Sequence, residues 1–226
     1  MDIVKISRLR FAIRLDETPG PLATRSRYHH GALREALLRS VERIIEKRGV
    51  AFVSLREVAR DARVSHSAPA HHFANKAGLL TAFAASGFDK LVAVVQEETR
   101  ASAPRSGPDV LEAIGRGYVR FAIQHPEHFS VMFRSEILDT SLPEYAAAAE
   151  KSWALLASTV KRCASEGYVR PADVESVTAA AWSVAHGLAT LWIGGRLPAR
   201  LDERDPERLA GRALRAFVDG VVRGKR

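Results

Sequence analysis

The chain has 226 residues, 46% hydrophobic and 27% charged, with a formal net charge of +8. That composition excludes a wholly disordered, collagen-like or low-complexity chain, and the single cysteine, Cys163, excludes an intramolecular disulfide or a multi-thiolate metal site and fits an intracellular protein. Residues 1–80 carry 15 Lys/Arg against 8 Asp/Glu and residues 81–226 carry 19 against 18, so the cationic excess lies in the first third, as in a basic module for nucleic acid or an anionic membrane joined to a neutral body.

Residues 1–24 read as an extension. Lys5, Arg8, Arg10 and Arg14 interrupt every apolar run, so no signal peptide is expected, and Asp16–Pro21 is a breaker. Leu33, Leu37, Val41, Ile44 and Ile45 then follow one face of a helix, closed by Gly49 after Lys47 and Arg48. Ser54 and Glu57 fit a capping box that opens a short helix ending near Asp61. Ser65 is placed to cap a second short helix to about His72, and Asn75 to cap a long one from Lys76 to about Thr99. After the loop 101–108, Asp109 is expected to begin a helix to about Gln124, and Pro126 a short one. Pro143 opens a helix to about Ser165, Pro171–Asp173 another to Gly194, and Pro206 the last, ending near Gly220. The fold class expected is all-α, about nine helices in two parts: residues 25–80 and residues 81–226. Ser176–Gly195 lacks formal charge over 20 residues, but its Ala-rich middle and His186 suit a buried helix better than a membrane span.

Two short helices and a tight turn within residues 54–72 have helix-turn-helix spacing: Ala59 is small at the crossing, and Val58, Ala62 and Val64 can pack between the helices. An ordinary helical hairpin has the same spacing; the local charge favours DNA.

The run from His29 to Leu80, with SLREVARDARVS, HHF and NKAGLL, resembles the DNA-binding domain of TetR-family transcriptional regulators. HPEHFSVMF and Trp182–Gly187 resemble the subdivision of that family with a WHG-type C-terminal domain. The resemblance implies a cytoplasmic homodimer, not an enzyme and without cofactor or membrane, that binds a palindromic operator in double-stranded DNA. A small-molecule effector releases it, which makes a repressor the expected role. It implies Ser65–His72 as recognition helix, with His66, Ser67 and Ala68 at base edges. His71 lies beside His72, and His72 and Lys76 match phosphate-contact positions. Ser54 and Arg56 stand where the second helix meets the backbone of DNA, and Ser65 and Arg63 belong to the same face. Three departures from the family pattern stand out: Ala70 in place of an aromatic that contacts phosphate, Arg63 in place of the turn glycine, and Pro69 at about the fourth position of the recognition helix. If the turn needs positive φ, Arg63 costs about 1 kcal/mol.

For the effector, Phe121, Phe129, Met132, Phe133 and Trp153 are candidate apolar lining, with Trp182, His125 and His186 as further contacts. At helical spacing these residues equally describe plain core, and His186 a hydrogen-bonded core or interface histidine. His29, His30, His66, His71 and His72 have no carboxylate or thiol at ligand spacing, so no metal site is expected. His125 and His128 read as capping or lining a helix end. Cys163 reads as a buried packing residue. No phosphate-binding glycine loop, GxSxG or HExxH is present, and Gly115 and Gly117 lie inside a helix.

Overall fold

The structure is a computed structural model that describes residues 22–223, with side chains from 31 to 220. Every element among the described residues is helical: α1 Leu22–Arg48, α2 Leu55–Ala62, α3 Ala68–Phe73, α4 Lys76–Ser102, α5 Gly107–Gln124, α6 Pro126–Met132, α7 Pro143–Ser165, α8 Val174–Ile193 and α9 Pro206–Arg223, with three short 3-10 turns between them. The expectation for residues 1–21 lies outside the described residues. Leu22–Thr24, expected in the extension, already belong to α1.

Most boundaries follow from caps the sequence carries. Gly49 adopts φ +88 after α1. Ser54 accepts a hydrogen bond from the Glu57 amide at 3.1 Å. The return arm of that box is replaced, because the Glu57 carboxylate turns to Arg48 and Arg60. Asn75 accepts from the Gly78 amide at 2.9 Å and starts α4. A complete capping box forms one helix later: the Ser106 hydroxyl accepts from the Asp109 amide, and the Asp109 carboxylate accepts from the Ser106 amide at 3.0 Å. So α5 opens at Gly107, and Asp109 is its third residue rather than its first.

The recognition helix departs furthest from expectation. It begins at Ala68, three residues after Ser65, and its cap residue Ser67 makes no side-chain cap bond. The reason is Pro69: proline belongs in the first turn, where its missing N–H has no intrahelical acceptor. Pro69 is therefore the second residue of α3, not the fourth, and no hydrogen bond is lost.

α4 runs without a break through residue 80, where the two parts were expected to divide. It packs on α1 and α3 and also on α5, α6 and α7. Among the described residues it alone has the length and hydropathy to cross a membrane, yet 72% of that window is buried inside the fold. The Gly115–Gly117 pair serves helix crossing. A Cβ at Gly115 would strike the Leu214 side chain of α9 at 2.1 Å, and one at Gly117 the Val95 Cα of α4 at 2.9 Å. Cys163 is fully buried beside Gly107, and burial pushes its thiol up to about 11, so it is an inert packing residue.

Candidate functional site: a nucleic-acid interface and an apolar cavity

The helical hairpin is held from inside by Val58, Ala59, Pro69 and Phe73, all buried. Its turn depends on Arg63, which adopts φ 57, ψ 44 and ends α2 in the left-handed region. A non-glycine residue there stores about 1 kcal/mol of strain. Outward from this core, Arg56, Arg63, Ser65, His66, Ser67, Ala70, His71 and Lys76 are exposed, and Ser54, Ala68 and His72 half-buried. Every expected DNA-contact residue thus lies on α2 or its cap, the turn, α3 or the first residue of α4. Ser65, expected as a cap, stands in the turn, where its hydroxyl lies 3.2 Å from that of Ser67.

The arginines of this region divide sharply. Arg43 pairs with Asp61 at 2.6 Å, Arg48 with Glu57 at 3.2 Å, Arg60 with Glu57, and Arg34 with Glu144 of α7. These tie α1 to α2 and to the body. Arg56 and Arg63 have no ion-pair partner among the described residues and stay available to phosphate. Lys76 makes only a long 3.4 Å contact with the Ala51 carbonyl.

The body holds a cavity of about 260 Å³. Phe88, Leu91 and Val95 of α4 form one wall at i, i+3, i+7 spacing. Tyr118 of α5, Phe133, Trp153 of α7 and Trp182 of α8 complete the aromatic part. Trp153 and Trp182 meet edge to face at 6.2 Å and are 40% and 39% exposed, so they mark the mouth. Polar groups are few. The Tyr145 hydroxyl donates to the Met132 carbonyl at 3.0 Å, and the Tyr118 hydroxyl shares a 2.8 Å hydrogen bond with His186 Nδ1. Burial raises the Tyr118 phenol and lowers His186, so both are neutral near pH 7.

Of the eight residues expected to bind effector, Phe133, Trp153 and Trp182 reach the wall. His186 stands one layer behind, acting through Tyr118, and Phe129 packs on His186 at 5.2 Å. Phe121 and Met132 are fully buried and off the wall; their helical spacing described core. His125 is also off the wall, because the chain turns at Pro126 and sets it toward α1, beside Glu42. Tyr118, Phe88 and Leu91 were missed. The apolar register of α4 is visible in the sequence, but a cavity-facing stripe and a core-facing stripe have the same period. Among the described residues one group of three has donor atoms close enough to hold a metal ion: Glu42, His125 and His128, all within 4.8 Å of one another.

Residues 37–83 match the family described as bacterial regulatory proteins, tetR family, and residues 111–217 match the tetracyclin repressor-like, C-terminal domain. No curated protein matches the sequence significantly. Among solved structures, a protein of unknown function from Rhodococcus sp. RHA1 is 32% identical, with TM-score 0.70 over 87% of this chain and 97% of that one. The TetR family transcriptional regulator PfmR from Thermus thermophilus is 18% identical, with TM-score 0.59 over 84% of this chain and 98% of that one. The ketosteroid transcriptional regulator KstR2 of Mycobacterium tuberculosis is 16% identical, with TM-score 0.59 over 83% and 93%. The last two likenesses are of fold.

Proposed function

The chain belongs to the tetR family of bacterial regulatory proteins, and from that premise we propose that it is a ligand-responsive repressor. In this reading it binds a palindromic operator as a homodimer in the cytoplasm, and a small, largely apolar effector releases it. One observation carries the reading: α4 is a wall of the cavity and also the support of the recognition helix. Phe88, Leu91 and Val95 face the cavity, while Lys76 opens the same helix at the DNA side. The coupling is tight at that end, because a Cβ on Gly78 would meet the Phe73 carbonyl oxygen of α3 at 2.2 Å. A ligand that fits one position of α4 better than another shifts α3 by its differential affinity for the two states.

The cavity favours an effector of modest size with an apolar body and one hydrogen-bonding group for Tyr118. For the dimer, α8 and α9 are the proposed contact. Ala179 and Ser183 of α8 are exposed, and nothing lies within 4 Å of a Cβ built on Gly187, so a second helix can approach closely there. Leu191 and Ile193, 45% and 43% exposed, extend the same helix with apolar surface. The finer placement in the WHG subdivision rests on Trp182, His186 and Gly187.

Selection of DNA from a random pool by the purified chain tests this function. A two-fold symmetric site should emerge and bind more tightly than its scrambled version across a salt series near 0.15 M. Substitutions at Ser67 should change the selected sequence. Absence of enrichment overturns the proposal.

A further inference from the structure

His128 is the one described side chain with a buried polar atom that lacks a hydrogen-bond partner: its Nδ1. The ring is 2% exposed and stacks on Phe83 at 4.0 Å between centroids. Its other nitrogen, Nε2, lies 3.4 Å from the Ser86 hydroxyl, which itself donates to the Phe83 carbonyl at 2.7 Å. With that proton engaged, Ser86 can accept from Nε2 in the tautomer that carries the ring hydrogen there. Nδ1 is then a bare lone pair. It points at the Glu42 carboxylate, 3.5 Å away. A lone pair facing a carboxylate repels unless a cation lies between them.

We propose that Glu42, His125 and His128 bind a divalent transition-metal ion of zinc's class, which bolts α1 to the start of α6. His125 and His128, three apart, lie on one side of the α6 N-terminus, and α1 brings Glu42 to them. Two imidazoles and a carboxylate are the donors that such an ion takes, with water left to complete the shell. The Ser86 contact on Nε2 is the outer hydrogen bond that fixes the tautomer of a metal-bound histidine. The three donor atoms lie within 4.8 Å of one another, whereas tetrahedral zinc with bonds of about 2.0–2.1 Å holds its ligands roughly 3.4 Å apart. Glu42 and His125 are half-buried and can turn inward by that difference. Lys90 competes: its ammonium lies 3.6 Å from Glu42, is 39% exposed, and can turn out to solvent. The proposal does not depend on operator binding and is tested without DNA.

The test is calorimetric titration of the full, untagged chain with Zn²⁺, read together with thermal unfolding. One ion per protomer is expected, with Mg²⁺ unable to replace it. Glu42→Gln and His125→Ala, both at half-buried positions, should each weaken binding by about tenfold or more and remove the zinc-dependent rise in Tm, with helicity unchanged. His128→Ala should do the same, and it serves as a third arm because burial exposes it to misfolding. No binding, or binding that both Glu42→Gln and His125→Ala retain at full strength, overturns the site; the second result would place the ion on surface histidines instead.

Discussion

The two ends of α4 handle charge in opposite ways. Near its N-terminus, Arg56 and Arg63 are exposed and have no ion-pair partner among the described residues. Near its C-terminus, Glu98 is 7% exposed and receives Arg116 and Arg120, both at 2.8 Å. Arg120 continues to Glu207 and Arg215 to Asp109, which stitches α5 to α9. Both regions are rich in arginine. What separates an open cationic surface from a scaffold is whether each cation already has a carboxylate. Net charge locates the first only because the second cancels itself.

Reversing the unpaired cations is the strongest way to break that contrast. Arg56→Glu combined with Lys76→Glu should lower affinity for all DNA by roughly two to three orders of magnitude near 0.15 M salt, since it places two like charges against phosphate. Tm should stay within a degree or two, because neither side chain holds the fold. A matching drop in Tm would show that these cations are structural too.

The paired network should answer in the reverse sense. Arg116→Ala leaves Glu98 buried with one cation fewer and should cost about 2–3 kcal/mol by denaturant unfolding. Operator affinity of the folded fraction should change little. Acid reports on the same network. Hydrogen bonding from Arg215 holds Asp109 down at about 2, and burial of Glu98 is outweighed by Arg116, Ser102 and Arg120, which keep it below the usual carboxylate range. Both carboxyls are more acidic folded than unfolded. Their contribution is complete above their unfolded values, near 4, and fades as pH falls toward about 2. Acid unfolding followed by circular dichroism should therefore begin at higher pH in Arg116→Ala. An unshifted midpoint would remove Glu98 from the account.

What could be read in the sequence follows the same division. Caps and breakers are local, so Gly49, Asn75, Pro126, Pro143 and Pro206 marked helix ends without knowledge of the fold. The helical hairpin was legible because helix-turn-helix spacing is short in sequence. The start of α3 was not. Ser65 looked like a cap, and only the preference of Pro69 for a first turn moved the helix to Ala68. The cavity was legible in part. Trp153 and Trp182 are large and partly exposed, whereas Phe121 and Phe88 have the same helical spacing and opposite fates. The group of Glu42 with His125 and His128 was invisible, because Glu42 stands more than eighty residues from the two histidines and meets them only when α1 packs on α6.

The smallest effect gives the sharpest test, because stability and function should move in opposite directions. Arg63 occupies a left-handed conformation at φ 57 that glycine adopts without steric cost. Arg63→Gly should relieve about 1 kcal/mol of strain. Greater freedom of the unfolded chain takes back part of it, so a net gain of roughly half a kcal/mol is expected. The same change deletes an unpaired cation beside the recognition helix. DNA affinity should fall by up to about tenfold, equally for operator and scrambled DNA, and the salt slope should shrink by about one. Calorimetric unfolding and a salt series on one variant decide the matter. If stability rises while affinity holds, Arg63 does not touch phosphate; if stability falls, the side chain supports the turn in a way its backbone angles do not reveal. The expected split would explain why a strained arginine stands where a glycine would rest more easily.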